Sequence, residues 1–333
     1  MSRKLSVGIL SALLILVLVA CGGNTGAQES KTEASLNGPG FTVTEIESYD
    51  FPQAPSQFTF FNFNPCVIAD QTVYLYEDGN WMICESDQKL AEVYPGDNLC
   101  AVSAEGEIIA DLPEESEYQT YPLGSAGLFY NADEIVKQTA GRKVRQLSKN
   151  IVNEEVMVLY EDGQAELFNA GTGYSVTDSL AEEETVEEVS GSFLRTAAGN
   201  VYLATYRFRE SDSSGSVTLS QVSTDQIVSI SACASADRCI AVKSDGTVEV
   251  YSDLEQELGV DFERIETACM GDSCCVAVDE DGRAHFSAYD SEIEEKIDSY
   301  LAGLERKVIY AACSDQRIAV MFEDYSVCVI DFI

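Results

Sequence analysis

Three copies of one short unit run through the last third of the chain. Ile230-Ser231-Ala232-Cys233 leads to Cys239-Ile240-Ala241-Val242, then to Asp245-Gly246-Thr247-Val248-Glu249-Val250-Tyr251. Ile265 to Cys269 leads to Cys275-Val276-Ala277-Val278, then to Asp281-Gly282-Arg283-Ala284-His285-Phe286. Ile309 to Cys313 leads to Ile318-Ala319-Val320, then to Glu323-Asp324-Tyr325-Ser326-Val327-Cys328-Val329. Each unit reads as strand, loop, strand, tight turn, strand. The acidic-Gly corner supplies the positive φ of a tight hairpin, and the alternation after it gives one buried face. Weaker copies lie upstream. They are Val73–Tyr76 before Asp78-Gly79, Leu99–Val102 before Glu105-Gly106, Val156–Tyr160 before Asp162-Gly163, and Phe193-Leu194 before Gly199-Asn200. Aligned on the cysteine, Cys233, Cys269 and Cys313 fall at one place in three successive copies.

A small antiparallel sheet cannot bury both of its faces alone. Copies packed in a closed ring bury them and protect the sheet edges. The repeat therefore predicts an all-β chain folded as a β-propeller. Units of about 42 residues divide residues 41–333 into seven blades. One segment breaks the β pattern. Ser291-Glu292-Ile293-Glu294 reads as a capping box, and Ile293, Ile297, Tyr300, Leu301 and Leu304 follow at helical spacing. One inserted helix is expected near 292–305, with its apolar stripe on the propeller rim.

The unit Val228 to Gly259 resembles a repeat of the regulator of chromosome condensation family. Asp245-Gly246-Thr247-Val248 fits that family's Asp-Gly-x-Val, and Gln256-Glu257-Leu258-Gly259 partly fits its closing Gly-Gln-Leu-Gly. Ala232-Cys233 stands where Ala-Gly is usual, and Tyr251-Ser252 replaces Trp-Gly. The resemblance implies a seven-bladed propeller and a crowded inner-strand site that needs a small side chain. Nuclear members of the family act on a small GTPase and on chromatin. An exported member inhibits a β-lactamase through one propeller face, which implies a protein-binding face. A second likeness, over Asp162 to Gly173, is to quinoprotein-like propellers, some of them lipoprotein scaffolds of outer-membrane assembly. The chain has one tryptophan, Trp81, so that family's repeated tryptophan docking cannot operate.

The N-terminus carries an export pattern. Arg3 and Lys4 precede an apolar run from Val7 to Ala20, interrupted only by Gly8 and Ser11. That run is too short to span a bilayer. Leu18-Val19-Ala20-Cys21 resembles a bacterial lipobox, which implies cleavage before Cys21, a diacylglyceryl thioether on its sulfur and acylation, such as by palmitate, of the new amine. Residues 1–20 are then a lipoprotein signal peptide. Residues 21–40 hold no aromatic residue and read as a tether spanning roughly 25 Å. The expected place of the 41–333 domain is the extracytoplasmic face of the cell membrane, held only by lipid.

The balance of 57 acidic against 20 basic residues, net −37, excludes a nucleic-acid stripe and repels anionic lipid. A basic protein or peptide is the partner such a surface attracts. The chain has a single histidine, His285, so a His-rich zinc site is excluded and any catalytic triad would have to use that residue. No cofactor motif is present. Carboxylates are abundant enough to leave a glycan-active enzyme open. The cysteines beyond Cys21 read as buried free thiols. The disulfides left open lie within hairpins, Cys233–Cys239 and Cys269–Cys275. A ring of cross-blade bonds is not expected, because packed sheets stand about 10 Å apart and a disulfide needs Cα atoms within about 7 Å. The reading is a monomeric, non-catalytic binding scaffold. A carboxylate enzyme and a structural subunit of an envelope complex are the alternatives.

Overall fold

The computed structural model describes residues 40–332, apart from 62–63, 71, 85–88, 95–99, 110–131, 151–154, 182–183, 210–213, 234–236, 253–257 and 315. Its first strand, β1 (Phe41–Ile46), is followed by a sheet of β2 (Pro55–Phe61), β3 (Asn64–Ala69), β4 (Thr72–Glu77) and β5 (Asn80–Cys84). The second sheet is β6 (Leu90–Tyr94), β7 (Cys100–Ser103) and β8 (Ile108–Ile109), and helix α1 (Ala132–Thr139) follows it. The third is β9 (Val144–Asn150), β10 (Glu155–Tyr160), β11 (Ala165–Asn169) and β12 (Thr172–Ser175). The fourth is β13 (Val186–Ser190), β14 (Phe193–Thr196), β15 (Val201–Arg209) and β16 (Ser214–Ser223). The fifth is β17 (Ile227–Ala232), β18 (Arg238–Lys243) and β19 (Val248–Ser252). The sixth is β20 (Ile265–Met270), β21 (Cys274–Asp279) and β22 (Ala284–Ala288), followed by helix α2 (Ser291–Ala302). The seventh is β23 (Val308–Cys313), β24 (Arg317–Phe322) and β25 (Val327–Phe332), with β1 as its outer strand.

These seven sheets, counted among the described residues, are antiparallel throughout, and each packs on the next. β6 meets β3 and β4; β9 meets β7; β13 meets β9 and β10; β17 meets β13 and β14; β20 meets β17 and β18; β23 meets β20 and β21. β2 meets β23, so the ring closes. The fold is the expected β-propeller. Closure is clasped by pairing β1 with β25, from Phe41 opposite Phe332 to Ile46 opposite Val327. Middle strands are covered on both sides by neighbouring sheets, which is why β10 and β21 are buried along their whole length.

Every inner strand slips its register by one residue directly after its first position. The slips fall at Pro55/Gln57, Leu90/Glu92, Val144/Gln146, Val186/Glu188, Ile227/Ser229, Ile265/Thr267 and Val308/Tyr310. This bulge corrects the cysteine alignment. Aligned on the leading apolar residue, Ser231, Cys269 and Ala312 are equivalent, as are Ala232, Met270 and Cys313, and Cys233, Gly271 and Ser314. The three cysteines hold three successive positions, not one. The loops differ in length, so counting from the cysteine shifted the copies.

The glycine turns do more than reverse the chain. The carbonyls of Gly106, Gly163, Gly199, Gly246 and Gly282 accept from the amides of Val144, Val186, Ile227, Ile265 and Val308, at 2.8 to 3.2 Å. Each acceptor lies in one sheet and each donor opens the next. In the first sheet the equivalent turn falls at Asp70 (φ 50°), and the expected Asp78-Gly79 corner instead joins the third and fourth strands. At the closing seam Pro55 has no amide to give. There Tyr310 Oη donates to the Pro55 carbonyl at 2.8 Å. The inner edges are tied in the same sense. Gln146 Oε1 accepts from the Val189 amide at 2.9 Å, and Ser190 Oγ accepts from the Ala232 amide at 2.8 Å. These bonds occupy strand-edge donors that would otherwise face the ring axis.

Helix α2 buries Ile293, Ile297 and Leu301 against sixth- and seventh-sheet residues that include Val276, Phe286, Val320 and Phe332, as the spacing predicts. Tyr300 and Leu304 pack on the same cluster. The cap differs from expectation. Asp290, not Ser291, is the N-cap, and its Oδ1 accepts from the Glu292 and Ile293 amides at 2.9 and 3.2 Å. Glu294 is thereby released from capping and reaches β22. Its Oε2 accepts from the Ala288 amide at 2.8 Å, while Asp298 Oδ1 accepts from the Phe286 amide at 3.1 Å. Carboxylates four apart on the helix thus match amides two apart on the strand. The helix does for this three-stranded sheet what a fourth strand does elsewhere. Helix α1 was not foreseen. It is eight residues long, too short for a repeating stripe, and Ile135 is its buried anchor.

Candidate functional site

Two places concentrate unusual chemistry. The first lies where inner strands hand over to middle strands in the third, fourth and fifth sheets. Asn150 ends β9 and stands opposite Glu155, which opens β10. Asn150 Nδ2 donates to Ser192 Oγ at 2.8 Å and to Asp237 Oδ1 at 2.7 Å, joining three sheets. Glu155 is only 4% exposed, and its Oε2 has no hydrogen-bond partner among the described residues. Burial, and then the nearby Asp237 charge, push its carboxyl up to about 7, against the Tyr206 amide and the Ser192 hydroxyl. A proton is therefore held here near neutral pH. Next to it, Cys233 Sγ donates to Asp272 Oδ1 between the fifth and sixth sheets.

The second place is the seam between the seventh and first sheets. The chain crosses it between β1 and β2, carrying Tyr49 and Phe51. Phe51 meets Tyr74 at 5.0 Å, Trp81 at 5.5 Å and Tyr325 at 5.9 Å between ring centroids. Tyr76 stands 5.3 Å from Trp81. Phe51 and Tyr74 are buried, while Tyr49, Tyr76, Trp81 and Tyr325 are half-buried. Ile83, two residues along β5 from Trp81 and so on the same face, is 54% exposed. The rim is acidic: Asp50, Asp78 and Asp324 are exposed next to the aromatic residues. An aromatic centre in a charged rim is the anatomy of a binding hot spot.

His285 lies on β22. Its Nε2 is 3.0 Å from Asp279 Oδ2, and its ring lies 5.6 Å from Phe262. Asp279 Oδ1 meanwhile accepts from the Asp281 and Arg283 amides of the turn, both at 2.9 Å. Burial raises the Asp279 carboxyl, but the Arg283 amide, His285 and the Asp281 amide together hold it below its usual value. The pair braces a turn. Among the described residues, no serine or cysteine is hydrogen-bonded to His285.

None of Cys233, Cys239, Cys269 and Cys275 is joined in a disulfide. Cys239 stands opposite Ala232 and Cys275 opposite Met270. Each open hairpin pair is thus one residue out of register, and its sulfurs lie on opposite faces. The structure brings together a pair that the sequence did not single out, Cys274 on β21 and Cys313 on β23, with sulfurs 3.2 Å apart. Among the described residues, no cluster of three or more His, Cys, Asp or Glu side chains is arranged to hold a metal ion. No helix among them is long and apolar enough to cross a membrane. Cys21, the expected signal peptide and the expected tether as far as residue 39 lie outside the described residues. The signal that could have exposed the aromatic seam was available. Tyr49, Phe51, Tyr74, Tyr76 and Trp81 are close in sequence, in and around the first sheet.

No protein-family model matches the chain, and no curated protein sequence matches it. Solved structures do share its fold. Human WBSCR16 superposes with a TM-score of 0.53 at 9% identity, over 85% of this chain and 88% of that one. Prp20p from Saccharomyces cerevisiae, described for its binding to Gsp1p and histones, gives 0.53 at 12% identity, over 84% and 83%. The Cps50 (Swd1) β-propeller domain from Myceliophteria thermophila gives 0.51 at 9% identity, over 87% of this chain and all of that one. The fold expected from the Asp-Gly repeats is a β-propeller, and the Cps50 (Swd1) neighbour is described as one.

Proposed function

We propose that this chain is a lipid-anchored, extracytoplasmic propeller that binds a basic protein or peptide and performs no chemistry of its own. The observation that carries the reading is the aromatic seam around Trp81. Half-buried tyrosine and tryptophan offer apolar contact area that is already ordered, so a partner gains it at small entropic cost. The acidic rim and the net charge of −37 select for lysine and arginine in that partner. That Prp20p is described as binding histones, which are basic proteins, is in keeping with this. Surface cross-linking on intact cells with mass spectrometry is expected to recover one reproducible partner, linked beside the seam. Trp81→Ala is expected to weaken that partner about tenfold or more while the chain stays folded at the temperature of the assay. No reproducible partner, or full affinity in the variant, overturns the reading.

The anchor is a separate part of the proposal. Arg3, Lys4, the apolar run to Ala20 and Cys21 support it. Cys21→Ser is expected to abolish incorporation of a palmitate analogue and move the protein from the membrane fraction to the soluble one. A native chain found unlabelled and soluble overturns it. One observation favours a second reading. Glu155, protonated near neutral pH beside Asp237, has the character of a general acid in a carboxylate pair. Turnover on a panel of glycans, lost in Glu155→Gln, would establish that enzyme.

A further inference from the structure

Cys269 on β20 stands opposite Val276, and Cys274 lies two residues before Val276 on β21. Both side chains therefore share the face that turns to the seventh sheet. There the end of β23 presents Cys313. Cys274 is fully buried and Cys313 is partly exposed, and their sulfurs touch at 3.2 Å. The neighbouring backbone is shaped around this meeting. A Cβ placed on Gly271 would stand 2.4 Å from the Ser314 carbonyl oxygen and 2.8 Å from the Cys313 sulfur. Gly271 does not have a positive φ, so no turn demands glycine there. Its equivalents in the fifth and seventh sheets, Cys233 and Ser314, carry side chains. Glycine at 271 leaves room for the Ser314 backbone and, beside it, for the Cys313 sulfur.

We propose that Cys274 and Cys313 are a disulfide-forming pair that staples the sixth sheet to the seventh. The oxidant is an external disulfide, small-molecule or protein-borne. The Cys313 thiolate attacks one sulfur of it, and one thiol leaves. The Cys274 thiolate then attacks the Cys313 sulfur of the mixed disulfide, and the second thiol leaves. The two cysteines lose two electrons, the oxidant gains them, and the cysteine protons end on the two released thiols. Burial raises the Cys313 thiol, so closure is slow at neutral pH and faster in mild alkali. The bond would secure the sheet whose outer strand, β1, pairs with β25 to close the ring. Closure in the cell rests on the extracytoplasmic reading above, whereas the test below does not.

The folded full-length chain is exposed to oxidised glutathione at mildly alkaline pH, alkylated, digested and sequenced by mass spectrometry. The expected product is a peptide linked through Cys274 and Cys313, with two fewer alkylated thiols. For a loop of 39 residues, the oxidised chain is expected to melt roughly 5–10 °C above the reduced one. Cys274→Ala and Cys313→Ala should each remove that gap, and the double variant should remove no more. A bond placed on Cys269 or Cys275, a full set of alkylated thiols, or a gap that survives in both variants overturns the proposal. The linked peptide in the unaltered chain decides the matter even if a variant fails to fold. Membrane release of Cys21→Ser tests the location independently.

Discussion

Glu155→Gln is expected to stabilise the fold by roughly 2–3 kcal/mol at pH 8 and to leave it nearly unchanged at pH 4. The carboxyl of Glu155 is pushed up to about 7, first by burial and then by Asp237. In the unfolded chain it titrates near 4.3. Between those values the folded state binds the extra proton, so stability falls as pH rises. The stabilisation from the protonated form is complete below the unfolded value and is lost as pH rises through about 7. Glutamine keeps the shape of the protonated acid and never ionises. The protonated acid and the amide alike carry a donor at the position of Oε2, which has no hydrogen-bond partner among the described residues, so the two differ little at pH 4. Urea midpoints of both proteins at pH 4 and pH 8 check this. The difference between them isolates Glu155 from the many other carboxylates that repel one another as pH rises. A variant less stable at pH 8 would show that the ionised carboxylate, held by Ser192 and the Tyr206 amide, is the native form.

Local backbone chemistry was the part of this fold legible in sequence. Asp162-Gly163, Asp245-Gly246 and Asp281-Gly282 announce hairpin turns because few other residues accept those angles. Helix α2 was legible because five apolar residues keep a helical period. Its cap was not, because Asp290 and Ser291 are both good capping residues and only geometry chooses between them. The loops after the inner strands differ in length, so the cysteine copies were aligned one step out in two directions. The Glu155 cluster was invisible for another reason. Asn150 and Asp237 are 87 residues apart, and only ring packing brings them into contact. The same holds for Cys274 and Cys313, which belong to different sheets and share no hairpin.

Gly199→Ala is expected to cost about 3 kcal/mol of stability, and Gly79→Ala only about 1 kcal/mol. Both glycines have left-handed backbones, at φ 78° and 82°. Any L side chain is strained there, and that shared part is about 1 kcal/mol. The surroundings separate them. A Cβ on Gly79 meets nothing within 4 Å, whereas one on Gly199 stands 2.8 Å from the Gln226 Cα and 3.0 Å from the Ile227 amide nitrogen. Those are backbone atoms of the next sheet and cannot swing away. The Ile227 amide also donates to the Gly199 carbonyl at 3.0 Å, so relief of the clash stretches that bond. Denaturant midpoints of the two variants measure the contrast. Equal losses would mean that the turns need glycine only for their own geometry. The expected inequality means that each turn is also the face on which the next blade is laid, so glycine sets the spacing of the ring.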